Sequence, residues 1–343
     1  MNFKNIDLAH FSELLGNKKE ICIVSHKSPD GDSIGSSLGL FHFLKQLGHQ
    51  VSVITPDRHP SFLNWIDGSK EVINYEYQAH IVSKLIDSAD WIFCLDFNDI
   101  NRVGDITPLL ENARAPKINI DHHQEPKHFC EYEYIETDAS STAQLIYEFI
   151  AQTPYKNLLN KSIANALYVG IMTDTGSFRF PSTTASTHHV IAELIETGID
   201  NAAIHRNIYD SSSESRLRLL GYSISDKMQL FLDHGFSIIG LSEEELQRFN
   251  YQKGDTEGIV NFPLSIQEVK VSVFLSAKDD KVKMSFRSKG DIAINKIAND
   301  YFNGGGHTNA AGGISSESLP ETIEKLIVIL KEELPNSNGQ SDD

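Results

Sequence analysis

The sequence predicts an α/β protein, with an N-terminal doubly wound, mostly parallel sheet domain joined by a helical connector to a smaller mixed α+β domain. Three observations predict it. Apolar runs without alternation, EICIVSH (20–26), QVSVIT (50–55), WIFCLDF (91–97) and KINIDHH (117–123), read as strands buried on both faces. Helical segments lie between the runs, as the crossovers of a parallel sheet require. After about residue 190 the pattern turns to polar-rich helical stretches, and from 235 onward to FSIIGLS, EVKVSVFLSAKDDKVKMSFRSKG and a late helix, ETIEKLIVILKEEL. A length of 343 residues also favours two domains, because single cores stop growing near ~250–300 residues. The expected divisions are a first domain over 1–190, a connector over 191–232, a second domain over 233–335 and a disordered polar tail over 336–343.

Taken in order, the first strand ends at His26 and leads into a helix over Ser33 to Leu47, stopped by Gly48. Ile34, Leu38, Phe41 and Leu44 share one face of this helix by spacing, and Asp32 or Ser33 is placed to cap its start. The first residues, MNFKNIDLAHFSELL, carry scattered charges, and no uncharged apolar run approaches the ~20 residues of a membrane span. A soluble cytoplasmic protein with no membrane association is expected. Cys22, Cys94 and Cys130 form no CxxC pair, and the first two lie in apolar strands, which suggests buried reduced thiols rather than a zinc site.

The chemistry gathers at the carboxyl ends of the strands, where ligands bind in open parallel sheets. His26, Asp30 and Asp32 follow the first strand, Asp96 ends WIFCLD, and Asp121, His122 and His123 end KINIDHH. Asp174, in IMTDTGSF, follows the apolar segment ANALYVGIM. Any one of these has an ordinary reading as a turn residue, helix cap or satisfied core histidine. Together, so many carboxylates on one rim would repel each other without a cation between them, so bound metal is the economical explanation. An EF-hand is excluded, because Ile34 and Phe41 occupy two of the positions that its calcium ring requires. Gly31 and Gly35 have the wrong spacing for a dinucleotide fingerprint, and no GK[ST] follows for a phosphate loop.

HKSPDGDSIGS (26–36), Asp96, IDHH (120–123) and TDTGSF (173–178) resemble the four motifs of the DHH phosphoesterase superfamily. FRSKG (286–290) and GGGHTNAAGG (304–313) resemble its DHH-associated C-terminal domain, so the likeness covers nearly the whole chain. Within the superfamily the sequence is similar to the bifunctional oligoribonuclease and pAp phosphatase group, to which exopolyphosphatase-related names are often attached. The resemblance implies two divalent ions, with manganese the common choice. His26, Asp30 and Asp96 would hold the first ion, and Asp32, Asp96, His122 and Asp174 the second, with Asp96 as the bridge. Two ions ~3.5–4 Å apart would neutralise the attacking and leaving oxygens of an in-line displacement. His123 would bind the scissile phosphate or assist the leaving oxygen, and Asp121 would orient the loop.

In the second domain, residues 270–296 hold seven lysines and arginines against three aspartates, in a chain of net charge −17. Most of these lysines read as a solvated hairpin. Arg287 has the fork to grip a phosphate, Gly304, Gly305 and Gly306 let backbone amides approach an anion, and His307 adds a donor. The overall acidity argues against long duplex nucleic acid, which demands neutralisation of many phosphates. The implied substrates are very short single-stranded RNA, cleaved to 5'-mononucleotides, and 3'-phosphoadenosine 5'-phosphate. Pyrophosphate or polyphosphate hydrolysis, hydrolysis of a cyclic or linear signalling dinucleotide and a non-enzymatic nucleotide sensor are the alternatives, and a homodimer is left open.

Overall fold

The computed structural model describes residues 16–334; the expectations for the extreme N-terminus and for the tail over 336–343 fall outside them. The chain divides into two compact units that part between Ser211 and Ser212.

The first unit is built on a six-stranded sheet. Its strands are β1 (Glu20–Ser25), β2 (Gln50–Thr55), β3 (Ile73–Asn74), β4 (Trp91–Leu95), β5 (Lys117–Asp121) and β6 (Tyr132–Ile135). They run in the order β3-β2-β1-β4-β5-β6 with every pairing parallel. The short strands β3 and β6 were not among the expected elements. Alternate residues of β1 enter opposite cores: Ile21 and Ile23 join one, Cys22 and Val24 the other. Helices α1 (Gly31–Gln46), α4 (Thr142–Gln152), α5 (Lys161–Asp174), α6 (Ala185–Glu196) and α7 (Asn201–Tyr209) contribute to the first core. Helices α2 (Tyr75–Ser88) and α3 (Thr107–Asn112) contribute to the second, so the sheet is covered on both faces. The strand order reverses between β1 and β4, which opens a crevice at their carboxyl ends. All three cysteines are free thiols, and Cys22 and Cys94 are buried.

Two details of α1 depart from the sequence reading. It begins at Gly31, and its cap is Asp30, whose carboxylate accepts from the Asp32 and Ser33 amides. Asp32 therefore lies inside the first turn. The helix is also buried almost all round rather than on one face, because α5 packs on the side opposite the sheet. Gly31, Gly35 and Gly39, four residues apart, line that side. A Cβ on Gly35 would lie 2.5 Å from the Ala166 carbonyl oxygen and 2.7 Å from the Gly170 amide nitrogen, while one on Gly39 would enter Leu167. The two backbones touch because neither helix has a side chain there.

The second unit carries a mixed six-stranded sheet. Its helix α8 (Glu214–Ser225) precedes β7 (Met228–Phe231) and β8 (Phe236–Leu241), and α9 (Glu243–Arg248) precedes β9 (Val271–Lys278) and β10 (Lys281–Ser288). Helix α10 (Ile294–Phe302), β11 (Gly305–His307), β12 (Ala310–Ser315) and α11 (Leu319–Glu333) complete it. The order is β11-β12-β10-β9-β8-β7, and only β8 and β9 pair in parallel. Phe236 and Ile238 pack with α10 and α11, whereas Ile239 and Leu241 pack with α8 and α9. The helices expected as a connector over 191–232 divide between the units: Ile204 and Ile208 of α7 belong to the first unit's core, and Leu219 of α8 to the second's. Among the described residues, no helix is long and apolar enough to cross a membrane.

Gly35→Ala should destabilise the protein by about 1–3 kcal/mol in urea or thermal denaturation, since the new methyl meets backbone that cannot swing aside. Gly221→Ala is the control. Gly221 lies mid-helix in α8 with nothing within 4 Å of an added Cβ, so the change should stabilise by about 0.5–1 kcal/mol. Equal effects at the two positions would contradict the close approach of α1 and α5.

Candidate metal centre

The strand ends flanking the crevice deliver the first group of ligand atoms. His26 follows β1, and Asp96 follows the neighbouring β4 with φ at 67°, a left-handed conformation that an aspartate rarely adopts. His26 Nε2 lies 3.3 Å from Asp96 Oδ2 and 3.9 Å from Asp30 Oδ1. Its Nδ1 lies 2.9 Å from the Lys27 carbonyl oxygen. Donation from Nδ1 to that carbonyl leaves Nε2 as the nitrogen facing the acids, protonated beside them and free to offer its lone pair to a metal once that proton is lost.

A second group forms around His122. Its Nε2 lies 3.5 Å from Asp174 Oδ2, 3.7 Å from Asp96 Oδ1 and 3.8 Å from Asp32 Oδ2. His122 Nδ1 is 3.3 Å from the Ala139 carbonyl, the same arrangement as in His26. The two oxygens of Asp96 thus face different histidines, and the carboxylate stands between the groups. His26, Asp30 and Asp96 form one set of potential ligand atoms within 4.8 Å of one another, and Asp32, His122 and Asp174 form another.

Helices place two of these acids. Asp174 ends α5, so the apolar segment that precedes it is a helix. Asp32 is carried by α1, and the glycine contact between these helices brings the two carboxylates to the same histidine. Both Asp32 oxygens accept backbone amides at the start of α4, from Thr142 at 2.7 Å and Ala143 at 2.9 Å. A helix N-terminus favours the ionised form. Thr142 Oγ1 also donates to Asp96 Oδ1 at 3.0 Å. Sequence reasoning missed this anchor, although the two serines preceding the helix carry an N-cap signal and Ser141 does cap it.

His123 and Asp121 form a pair beside these groups. His123 Nδ1 lies 2.7 Å from Asp121 Oδ1 and 3.7 Å from Asp96 Oδ1. Asp121 is fully buried, so it can orient the imidazole and has no opening to substrate.

The electrostatics are those of crowded acids. Burial, then the charges of Asp96 and Asp174, push the Asp32 carboxyl well above the ordinary range. Burial opposes ionisation of Asp96 too, but the His26 hydrogen bond and the charges of His123, His26 and His122 outweigh it and hold its pKa low. Asp174 is pushed up to about 6, by burial first and then by Asp30 and Asp96, against the pull of His122. Burial also disfavours charge on His26 and His122, yet the acids around them raise both imidazoles above the usual value. Protons therefore balance the cluster when nothing else does. Imidazole nitrogens and carboxylate oxygens without a thiolate are the donor set of a harder divalent ion such as Mn²⁺, which would replace those protons.

The second unit brings its expected residues together in one row. Arg287 pairs with Ala310 across β10 and β12, and His307 pairs with Ala310 across β11 and β12. Opposed residues point to one face, so Arg287 and His307 flank the small Ala310. Gly305 and Gly306 lie in the edge strand β11 rather than in a free loop. Gly304 precedes it with its amide bonded to the Ala298 carbonyl, and its Cβ position is filled by the Gly312 carbonyl oxygen.

Metal uptake should depend on pH. His26 and His122 hold protons above the usual imidazole pKa, and a metal must displace them. Apparent Mn²⁺ affinity, measured by calorimetry in buffers of different ionisation heat, should therefore fall as the pH drops through that raised range, by about tenfold per pH unit for each proton displaced. An affinity flat between pH 8 and 6, with no proton release, would remove these histidines from the ligand set.

The sequence matches the DHH family, N-terminal domain, over residues 20–171 and the DHHA1 domain over residues 239–335. A probable bifunctional oligoribonuclease and PAP phosphatase NrnA from Streptococcus mutans is 33% identical, covering 88% of this chain and 91% of its own length. The cyclic-di-AMP phosphodiesterase GdpP of Bacillus subtilis is 28% identical over 92% of this chain, which spans 48% of that longer protein. The crystal structure of an exopolyphosphatase-related protein from Bacteroides fragilis superposes with a TM-score of 0.91 at 40% identity, covering 97% of this chain and 98% of that one. With both domains matched in order and the likeness running nearly end to end, the chain belongs to the DHH family.

Proposed function

We propose that this protein is a cytoplasmic, metal-dependent phosphodiesterase that hydrolyses very short oligoribonucleotides to 5'-mononucleotides, and that the same site removes a phosphate from 3'-phosphoadenosine 5'-phosphate. The observation that carries the reading is the position of Asp96, one oxygen toward His26 and the other toward His122, at the centre of a chain aligned almost completely with a relative named for these two activities. His26, Asp30 and Asp96 would hold one divalent ion, and Asp32, Asp96, His122 and Asp174 a second, with Mn²⁺ the expected metal. When bound, such ions supply Lewis-acid activation of water and neutralisation of phosphate charge.

The chain's own residues do the rest. The helix start at Thr142 and Ala143 fixes Asp32, and Thr142 steadies Asp96, so the acids are preorganised before substrate arrives. Asp121 orients His123, which would meet the phosphate or the leaving oxygen. In the second domain, Arg287 and His307 would bind a substrate phosphate from one sheet face. The three free cysteines suit a reducing compartment. Cyclic dinucleotide hydrolysis is the second reading, favoured by the likeness to GdpP across both domains.

Purified protein supplied with Mn²⁺ should release mononucleotides from a 5'-phosphorylated diribonucleotide and phosphate from 3'-phosphoadenosine 5'-phosphate. Asp96→Ala should lose nearly all of both activities, by at least ~10³-fold, because it removes a ligand from each group. Turnover confined to cyclic di-AMP or pyrophosphate would reassign the substrate while keeping the metal site. Near-normal turnover by the variant would remove the two-metal arrangement.

Arg287→Ala should raise KM about tenfold or more with kcat and Mn²⁺ content little changed, as for loss of a uniform phosphate contact. A fall in bound Mn²⁺, measured by elemental analysis, would contradict the separate roles of the two domains.

A further inference from the structure

The turn that leaves Asp174 has a construction that metal ligation does not require. Gly176, Ser177 and Phe178 follow one another with φ of 55°, 61° and 63°. Two of the three are not glycine, and left-handed backbone costs such residues roughly 1–2 kcal/mol each. The turn is held by many bonds. The Thr175 carbonyl accepts the Arg179 and Phe180 amides at 2.9 and 3.0 Å, Thr175 Oγ1 accepts the Phe178 amide, and the Met172 carbonyl accepts that of Ser177. Arg179 Nε donates to the Gly176 carbonyl at 2.7 Å, which pins the guanidinium to the same turn.

This geometry sends two phenylalanine rings in different directions. Phe178 is half-buried, edge-on to Tyr168 at 5.9 Å between centroids and tilted against His188 and His205. Phe180 lies over Gly176, where a Cβ would come within 2.6 Å of its Cε1 atom, and the residue is 37% exposed. Arg179 is exposed beside it, close enough to Tyr209 to act on that phenol. Asp174 has 30% of its side chain open to solvent and Asp30 55%, against 6% or less for His26, His122, Asp32 and Asp96. Asp174, one of the two open acids of the cluster, is therefore followed through this bonded turn by a fixed cation and an exposed ring, two surfaces suited to a flat aromatic ligand joined to a phosphate.

We infer that Phe180, with the neighbouring Arg179 fixed on the same turn, is a nucleobase platform: it stacks the base of the nucleotide whose phosphate the metal centre holds. The inference deepens the proposed function and rests on it for the identity of the substrate. Stacking on a ring is tolerant of base identity, as suits an enzyme that degrades short RNA of any sequence. It also explains why Gly176 carries no side chain: any Cβ would displace the ring.

The test compares adenosine 5'-monophosphate with ribose 5-phosphate, which lacks only the base, by calorimetric binding to the Mn²⁺-loaded protein. Wild type should bind the nucleotide about tenfold more tightly. Phe180→Ala should bind both at the weaker value with Mn²⁺ affinity and melting temperature unchanged, and Phe180→Trp should restore the preference. A wild type that binds the two alike, or binds neither, overturns the platform, as does an alanine variant that still discriminates. If wild type discriminates but hydrolyses neither the diribonucleotide nor 3'-phosphoadenosine 5'-phosphate, the proposed function fails and the platform stands.

Discussion

The acid cluster depends on the contact between α1 and α5, where Gly35 meets the backbone at Ala166 and Gly170. Sheet topology alone brings His26, Asp96 and His122 to one rim, because β1, β4 and β5 are adjacent and parallel. It does not bring Asp32 or Asp174, which ride on helices. Only helices packed at backbone distance can set those two carboxylates against one imidazole, and that distance is available only without side chains. Gly170 serves twice, since a Cβ there would also lie 2.8 Å from Asp32 Oδ1. Packing and chemistry at this point are one constraint.

The same region shows opposing demands on one group. Asp32 accepts two backbone amides from the start of α4, an arrangement that favours its charge. Burial and the neighbouring acids favour its proton, and they prevail. A residue chosen for stability alone would not be left in such a conflict. Thr142 and Asp121 show how the fold contains it, by fixing the direction of Asp96 and His123 instead of relieving the crowding.

Much of this was legible in the sequence, and the remainder was hidden for definite reasons. Unbroken apolar runs identified the four main strands, and each run carried a polar residue at or next to its end, so the rim could be read without coordinates. The strands β3 and β6, with two and four residues, are too short to leave a periodic signal. The capping role went to Asp30 rather than Asp32 or Ser33, because DGD offers several acceptors in a row and only geometry selects among them. Gly31, Gly35 and Gly39 of GDSIGSSLG sit at helical spacing and mark close packing, a role that a predicted helix over Ser33 to Leu47 does not by itself assign to them. That distinction depends on a partner helix more than 120 residues away in sequence, which no local pattern reveals. The glycine run of the second domain posed a similar ambiguity, for part of it forms an edge strand and Gly304 serves packing.

The crowded acids and the strained turn after Asp174 have a common physical logic. Each stores unfavourable energy in the protein alone: repulsion among carboxylates in one case, left-handed backbone at Ser177 and Phe178 in the other. Repulsion among the acids can be relieved by a cation, which therefore binds more tightly for the preorganisation already present. The turn is not relieved in that way, since it is held by hydrogen bonds internal to it rather than by charge a cation could balance. What it secures is position, with Phe180 and Arg179 held by the bonded turn that follows Asp174, a part-exposed acid of the cluster. A ligand that unites negative charge with a flat apolar ring would draw on both features at once, whereas a bare phosphate would use only the first.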